Sequence, residues 1–141
     1  MDTESSAIRM EIPSAVELVN VVRMTVMNAV ESQGALTGSR LDDLRLATSE
    51  AVTNAIQANL ERDGSQPVKI RCIIADGLVR LEITDFGFGM PPDENLPPLS
   101  DPARLHTEGG FGVPLMKALS NDRVEFDTSA RGTTVRIWLA Q

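Results

Sequence analysis

Asp76-Gly77 separates two runs, residues 68–75 and 78–85, in which apolar side chains alternate with polar ones. An Asp-Gly pair suits the positive φ angles of a tight hairpin turn, so the chain is expected to contain an antiparallel strand pair here. Side chains two residues apart share a face of a strand. Val68, Ile70, Cys72 and Ile74 therefore point one way on the first strand, as do Val79, Leu81 and Ile83 on the second. Asp85 continues the second row. That is an odd place for a carboxylate, because a buried charge is costly without a partner.

The flanking segments supply helices. Residues 7–12 read as a short first strand ended by Pro13. Ser14-Ala15-Val16-Glu17 is a capping-box pattern, and Leu18, Val22, Val26 and Ala29 follow at helical spacing, predicting a helix that stops near Gly34. Ser39-x-x-Asp42 opens a second helix running to about Leu60, with a core stripe of Leu41, Leu44, Thr48, Ala51, Val52, Ala55 and Ile56. Glu50 and Asn54 are four apart, so they stand one above the other beside that stripe. Residues 112–119 suit a short helix with a glycine-rich start, and Pro114 fits its first turn. A last hairpin is expected from residues 123–128 and 133–139 around Ala130-Arg131-Gly132, with Val135, Ile137 and Leu139 inward. Between these elements, residues 90–110 hold prolines at 91, 92, 97, 98 and 102 and sustain no period. Such a loop in a compact domain is a functional lid or a disordered linker.

Composition narrows the function classes. The 141 residues form one domain without internal repeats. A net charge of −7 argues against direct nucleic-acid binding, which concentrates positive charge, and reads as a solubility feature. The single cysteine excludes an internal disulfide, and its place in the alternating row makes Cys72 a buried core thiol. No apolar run approaches the ~20 residues of a membrane span. Residues 1–6 carry no signal-peptide pattern, so a cytoplasmic location without membrane contact is expected.

Four clusters then stand out: Glu50-x-x-x-Asn54, Asp85-Phe86-Gly87-Phe88-Gly89, Gly109-Gly110-Phe111-Gly112 and Gly132-Thr133-Thr134. Asp85-Phe86-Gly87 matches the metal-binding Asp-Phe-Gly of protein kinases, but the strand lysine, His-Arg-Asp loop and N-terminal glycine loop of that fold are missing. There is no Gly-Lys-Ser/Thr, which removes the P-loop class.

Taken together, the clusters resemble the boxes of the Bergerat-fold (GHKL) ATPases. Glu50-x-x-x-Asn54 resembles the N box, Asp85-x-Gly87-x-Gly89 the first glycine box, Gly109-Gly110-x-Gly112 the second, and Gly132-Thr133 the last. Within that superfamily the stretch Leu46-Ala-Thr-Ser-Glu-Ala-Val-Thr-Asn-Ala-Ile56 and Glu108-Gly-Gly-Phe-Gly112 resemble the small bacterial anti-sigma-factor serine kinases. Ala58 stands where those kinases commonly carry His. Gln57 stands where histidine-kinase domains often place Lys, and Glu50 where they usually have Asn.

The resemblance implies an α+β two-layer sandwich, with a mixed, mostly antiparallel sheet covered on one face by three helices. It also implies ATP and Mg²⁺ as ligands. Glu50 would be the catalytic base, and an ionised carboxylate is indeed acceptor-only. Asn54 would offer a neutral oxygen to Mg²⁺, which prefers oxygen ligands. Asp85 would accept the adenine amino proton, and Thr133 would support the base. Gly87 and Gly89 would let the backbone approach the nucleotide. Gly109, Gly110 and Gly112 would present N–H groups to the phosphates at a helix start. His106 reads as a solvated loop residue. The implied partners are a sigma factor and a STAS-domain anti-anti-sigma protein phosphorylated on serine or threonine, with a homodimer as the assembly. The alternatives are an ATP-binding regulatory module without significant phosphotransfer and a detached histidine-kinase-type ATPase domain.

Overall fold

The computed structural model describes residues 6–89, 116, 118–120 and 123–141. Strand β1 (Ser6–Ile12) leads through a 3₁₀ turn at Val16–Leu18 into helix α1 (Val19–Ser32) and then helix α2 (Ser39–Arg62). Strands β2 (Val68–Ala75) and β3 (Leu78–Asp85) follow, and β4 (Val124–Ser129) and β5 (Gly132–Ala140) complete the sheet. Met116, Ala118 and Leu119 are helical. The rest of the expected third helix, like the 90–110 loop, lies outside the described residues. No helix among the described residues is long and apolar enough to cross a membrane.

The strands are ordered β1-β2-β3-β5-β4. Among the described residues all four pairings are antiparallel, so the sheet expected to be mixed but mostly antiparallel shows no parallel pair there. The reason lies in the connections: the excursion through α1 and α2 returns β2 beside β1 in the opposite direction, and the other neighbours are hairpins or the β3–β5 pair. Asp76 and Gly77 take φ of 53° and 71°, the two positive values that a two-residue type I′ turn requires.

The capping expectation fails at the first helix, whereas the second opens at Ser39 as expected. Ser14 Oγ donates instead to the Gln66 carbonyl, 2.8 Å away, and the 3₁₀ turn has no side-chain cap. Gly38, at φ 58°, precedes α2, again without a side-chain cap, while Asp42 pairs with Arg45 at 2.9 Å. At the first helix a carbonyl distant in sequence thus claims the hydroxyl that local pattern assigned to a cap. At the far end Gly64, at φ 73°, donates its N–H to Asn59 O at 2.7 Å and closes the last turn.

One core fills the space between the helices and the inner sheet face. From α2 it takes Leu44, Ala47, Thr48, Ala51, Val52, Ala55, Ile56 and Asn59, and from α1 Val22, Val26 and Val30. The sheet contributes Val68, Ile70, Cys72, Ile74, Val79, Leu81, Ile83, Val135, Ile137 and Leu139, all buried. Each fully buried Val, Leu or Ile removes apolar area worth roughly 1.5–3 kcal/mol. Burial raises the Cys72 thiol pKa to about 11, consistent with a core role. The outer sheet face is polar, as a half-solvated antiparallel sheet should be. There Arg9, Arg71, Glu82, Arg136 and Glu125 form one rung across all five strands. Glu82, 15% exposed, pairs with Arg71, Arg80 and Arg136 at 3.7, 3.1 and 3.4 Å.

Candidate functional site

The site is built where the C-terminal half of α2 meets the end of β3 and the start of β5. Along α2, Glu50, Asn54 and Ala58 recur every fourth residue, so they form one row beside the buried stripe. Glu50 and Asn54 are both half-buried. The row ends against the sheet: a Cβ built on Gly87 would meet Ala58 O at 2.8 Å and Ala58 Cβ at 2.9 Å. Helix and glycine segment therefore touch with no side chain between them.

Asp85 is the last residue of β3 and pairs in register with Thr133 of β5. Its Oδ1 accepts the Gly87 N–H at 2.9 Å. Burial raises the Asp85 pKa, while the backbone N–H groups of Gly87 and Thr133 work against that rise by favouring the charged form. An ionised carboxylate offers about four acceptor directions, and these two donors leave capacity for a further N–H from a ligand. Thr133 is buried, on the inner face with Val135, and its Oγ1 lies 2.9 Å from Thr128 Oγ1. The β3–β5 register thus puts Asp85 and Thr133 side by side.

The glycines of this segment sit where stretches of backbone come close together. The missing Cβ of Gly87 faces Ala58, that of Gly89 faces Ser129 O, and that of Gly132 faces Asp85 O. Gly89 and Gly132 also hold φ of 95° and 139°, which L side chains rarely adopt. Residues 85–89 are in effect wedged between α2 and the β4–β5 hairpin. Gly109, Gly110 and Gly112, with His106, lie outside the described residues.

Two further residues grip this wedge, and sequence reasoning missed both. Arg62 Nη1 donates to Gly87 O at 3.1 Å and Ala130 O at 3.2 Å, and its guanidinium stands 5.0 Å from the Phe88 ring centroid. Asn59 is buried, and its Oδ1 accepts the Phe86 N–H at 2.7 Å. The signal was available for Asn59. It falls three residues after Ile56 and four after Ala55, so it extends the core stripe, and a buried amide there demands hydrogen-bond partners. Arg62 had no such signal, being one exposed arginine near a helix end.

Among the described residues no group of three or more His, Cys, Asp or Glu side chains could hold a metal ion.

Comparison with known proteins gives the same neighbourhood. Residues 12–139 match a family model described as a histidine kinase-like ATPase domain. The chain is 30% identical over 127 residues to the serine-protein kinase RsbW of Bacillus subtilis, covering 86% of this chain and 79% of that protein. It is 33% identical over 100 residues to an anti-sigma F factor of Geobacillus stearothermophilus, covering 70% and 68%. In fold it is similar to a chain in the crystal structure of the SiaB-SiaC complex from Pseudomonas aeruginosa, with a TM-score of 0.68 at 12% identity, covering 94% and 88%.

Proposed function

Since the chain belongs to the histidine kinase-like ATPase domain family, we propose that it is an ATP-dependent protein serine kinase that also acts as an anti-sigma factor. It would hold a sigma factor away from RNA polymerase and phosphorylate a STAS-domain partner, in the cytoplasm and as a homodimer. The observation that carries this reading is the half-buried Asp85 carboxylate beside Thr133, in a segment whose Gly87 touches the helix bearing Glu50 and Asn54.

In this reading the adenine amino group donates to Asp85, and the nucleotide extends toward the α2 row. Asn54 would hold Mg²⁺, and the ion would supply neutralisation of the phosphate charge. A serine hydroxyl of the partner attacks the γ-phosphorus, the bond from that phosphorus to the bridging oxygen breaks, and ADP departs. Glu50 accepts the hydroxyl proton. Gly109, Gly110 and Gly112, which lie outside the described residues, would supply N–H groups to the phosphates as the family resemblance implies.

Ala58 favours a second reading, in which ATP is a conformational ligand and transfer is absent. The side chain common at this position in the resembling kinases is missing, and Ala58 packs on Gly87 instead. Incubation with γ-labelled ATP and a candidate STAS-domain protein decides between them. Label on a partner serine or threonine supports the kinase. ATP and sigma-factor binding without labelled partner supports the binding module.

A further inference from the structure

Asn59 connects four parts of the chain through one buried amide. Its Nδ2 lies 2.9 Å from Ser14 Oγ, 3.1 Å from Gln66 O and 3.2 Å from Pro67 O, while its Oδ1 takes the Phe86 N–H at 2.7 Å. The side chain thus ties the segment after β1 and the start of β2 to the residue that follows Asp85. A hydrogen bond to Phe86 N fixes the Asp85–Phe86 peptide plane, and the other side of that plane is fixed too. Its oxygen, Asp85 O, stands against Gly132, where no Cβ could fit. One residue on, Arg62 holds Gly87 O. The direction of the Asp85 side chain follows from the plane of its own peptide, because Oδ1 closes a short ring onto Gly87 N.

We propose that Asn59 is a positioning residue, which holds the Asp85 turn in the orientation that accepts the base. It does not touch the nucleotide itself. The inference rests on Asp85 being the base acceptor, and it adds a reason for the amide at this position. A plain packing residue would satisfy the Ser14, Gln66 and Pro67 groups, whereas the shortest of the four contacts runs to the candidate site. Only an amide serves both ends, with a donor on one side and an acceptor on the other.

The test compares Asn59→Ala with Ser14→Ala in the full chain. Both disturb the same hydrogen-bonded cluster, but only the first frees Phe86 N–H. Three quantities are read: melting temperature, ATP affinity by calorimetry, and hydrogen exchange at the Phe86 and Gly87 amides. Asn59→Ala should weaken ATP binding about tenfold or more, the change that ~1.4 kcal/mol makes, and speed exchange at both amides. Ser14→Ala should lower the melting temperature yet leave ATP affinity within about twofold and the two amides protected. A folded Asn59→Ala protein with wild-type ATP affinity overturns the proposal, as does an equal loss of affinity in Ser14→Ala. Should Asn59→Ala not fold, the wild-type Phe86 amide decides: exchange at the rate of an open amide overturns it, and core-like protection supports it. If the wild-type chain binds no ATP, the nucleotide reading fails by itself. The exchange comparison then still reports whether Asn59 holds the turn.

Discussion

Gly87 packs so closely on Ala58 that a Cβ built on the glycine would lie 2.8 Å from the alanine carbonyl oxygen and 2.9 Å from its Cβ. The φ of Gly87 is not among the positive ones, so its need for glycine comes from this contact and not from its dihedral. Gly87→Ala should force the 85–89 segment off α2. Overpacking of this kind costs typically 1–3 kcal/mol, and the displaced Asp85 turn should weaken ATP binding in parallel. Thermal denaturation with nucleotide titration checks both. A variant as stable as wild type would mean that the helix and segment part easily.

Asp85→Asn should lose most ATP affinity, since an amide can turn a donor toward the adenine amino group. Its effect on the nucleotide-free protein has the opposite sign. Burial raises the Asp85 pKa above the ordinary carboxylate value, so only between that value and the raised one does the folded state keep a proton that the unfolded chain has released. The stability tied to this group is complete below the ordinary carboxylate range and is lost as pH rises through the raised value. Asparagine removes that loss. The nucleotide-free variant should melt no lower than wild type at neutral pH, with any advantage shrinking as pH falls toward ~4. Melting curves across pH, alongside calorimetry, test the two halves separately. A lower melting temperature at neutral pH would show that the charge is better satisfied than its burial implies.

Glu50→Ala should separate binding from chemistry. Positioned general-base catalysis is typically worth ~10²–10⁴-fold, so the variant should bind ATP and the sigma factor normally while labelling the STAS partner that much more slowly. Partner phosphorylation at the wild-type rate would remove Glu50 from the mechanism.

Asn54→Ala should weaken ATP binding only where Mg²⁺ is present. Its oxygen is the metal ligand in the proposed arrangement, and no acidic cluster among the described residues could replace it. Titrations with Mg²⁺ and with a chelator should converge for the variant and diverge for wild type. An equal loss of affinity under both conditions would make Asn54 a direct nucleotide contact.

Sequence periodicity carried most of the fold. The β2–β3 hairpin ends where alternation ended, at Asp85, and the buried stripe of α2 contains every predicted residue except Leu41, which packs at its margin. Strand pairing was harder to see. Nothing local says that β5 sits between β3 and β4, because that order depends on contacts distant in the chain. The site divides along the same line. The placement of Glu50, Asn54, Asp85 and Thr133 on α2, β3 and β5 was legible because each sits at a defined phase of a helix or strand, while their proposed roles come from the family resemblance alone. Asn59 and Arg62 act on backbone groups of another segment, and a backbone carbonyl leaves no trace in residue identity. The capping error at the first helix has the same origin: Ser14 has a serine's local options, and a distant carbonyl wins.

The register of Asp85 with Thr133 also bears on when the site comes into being during folding. The β3–β5 pairing closes a long stretch of chain, and the entropy of loop closure must be met before those contacts return anything. On a ribosome, helix α2 and the β2–β3 hairpin emerge well before β5. Until β5 arrives, the edge of β3 that carries Asp85 is unpaired and Gly132 is not yet in place against it. Nucleotide capture should therefore begin abruptly once β5 is in place, making ATP a reporter of the completed β3–β5 pairing and not of partial order.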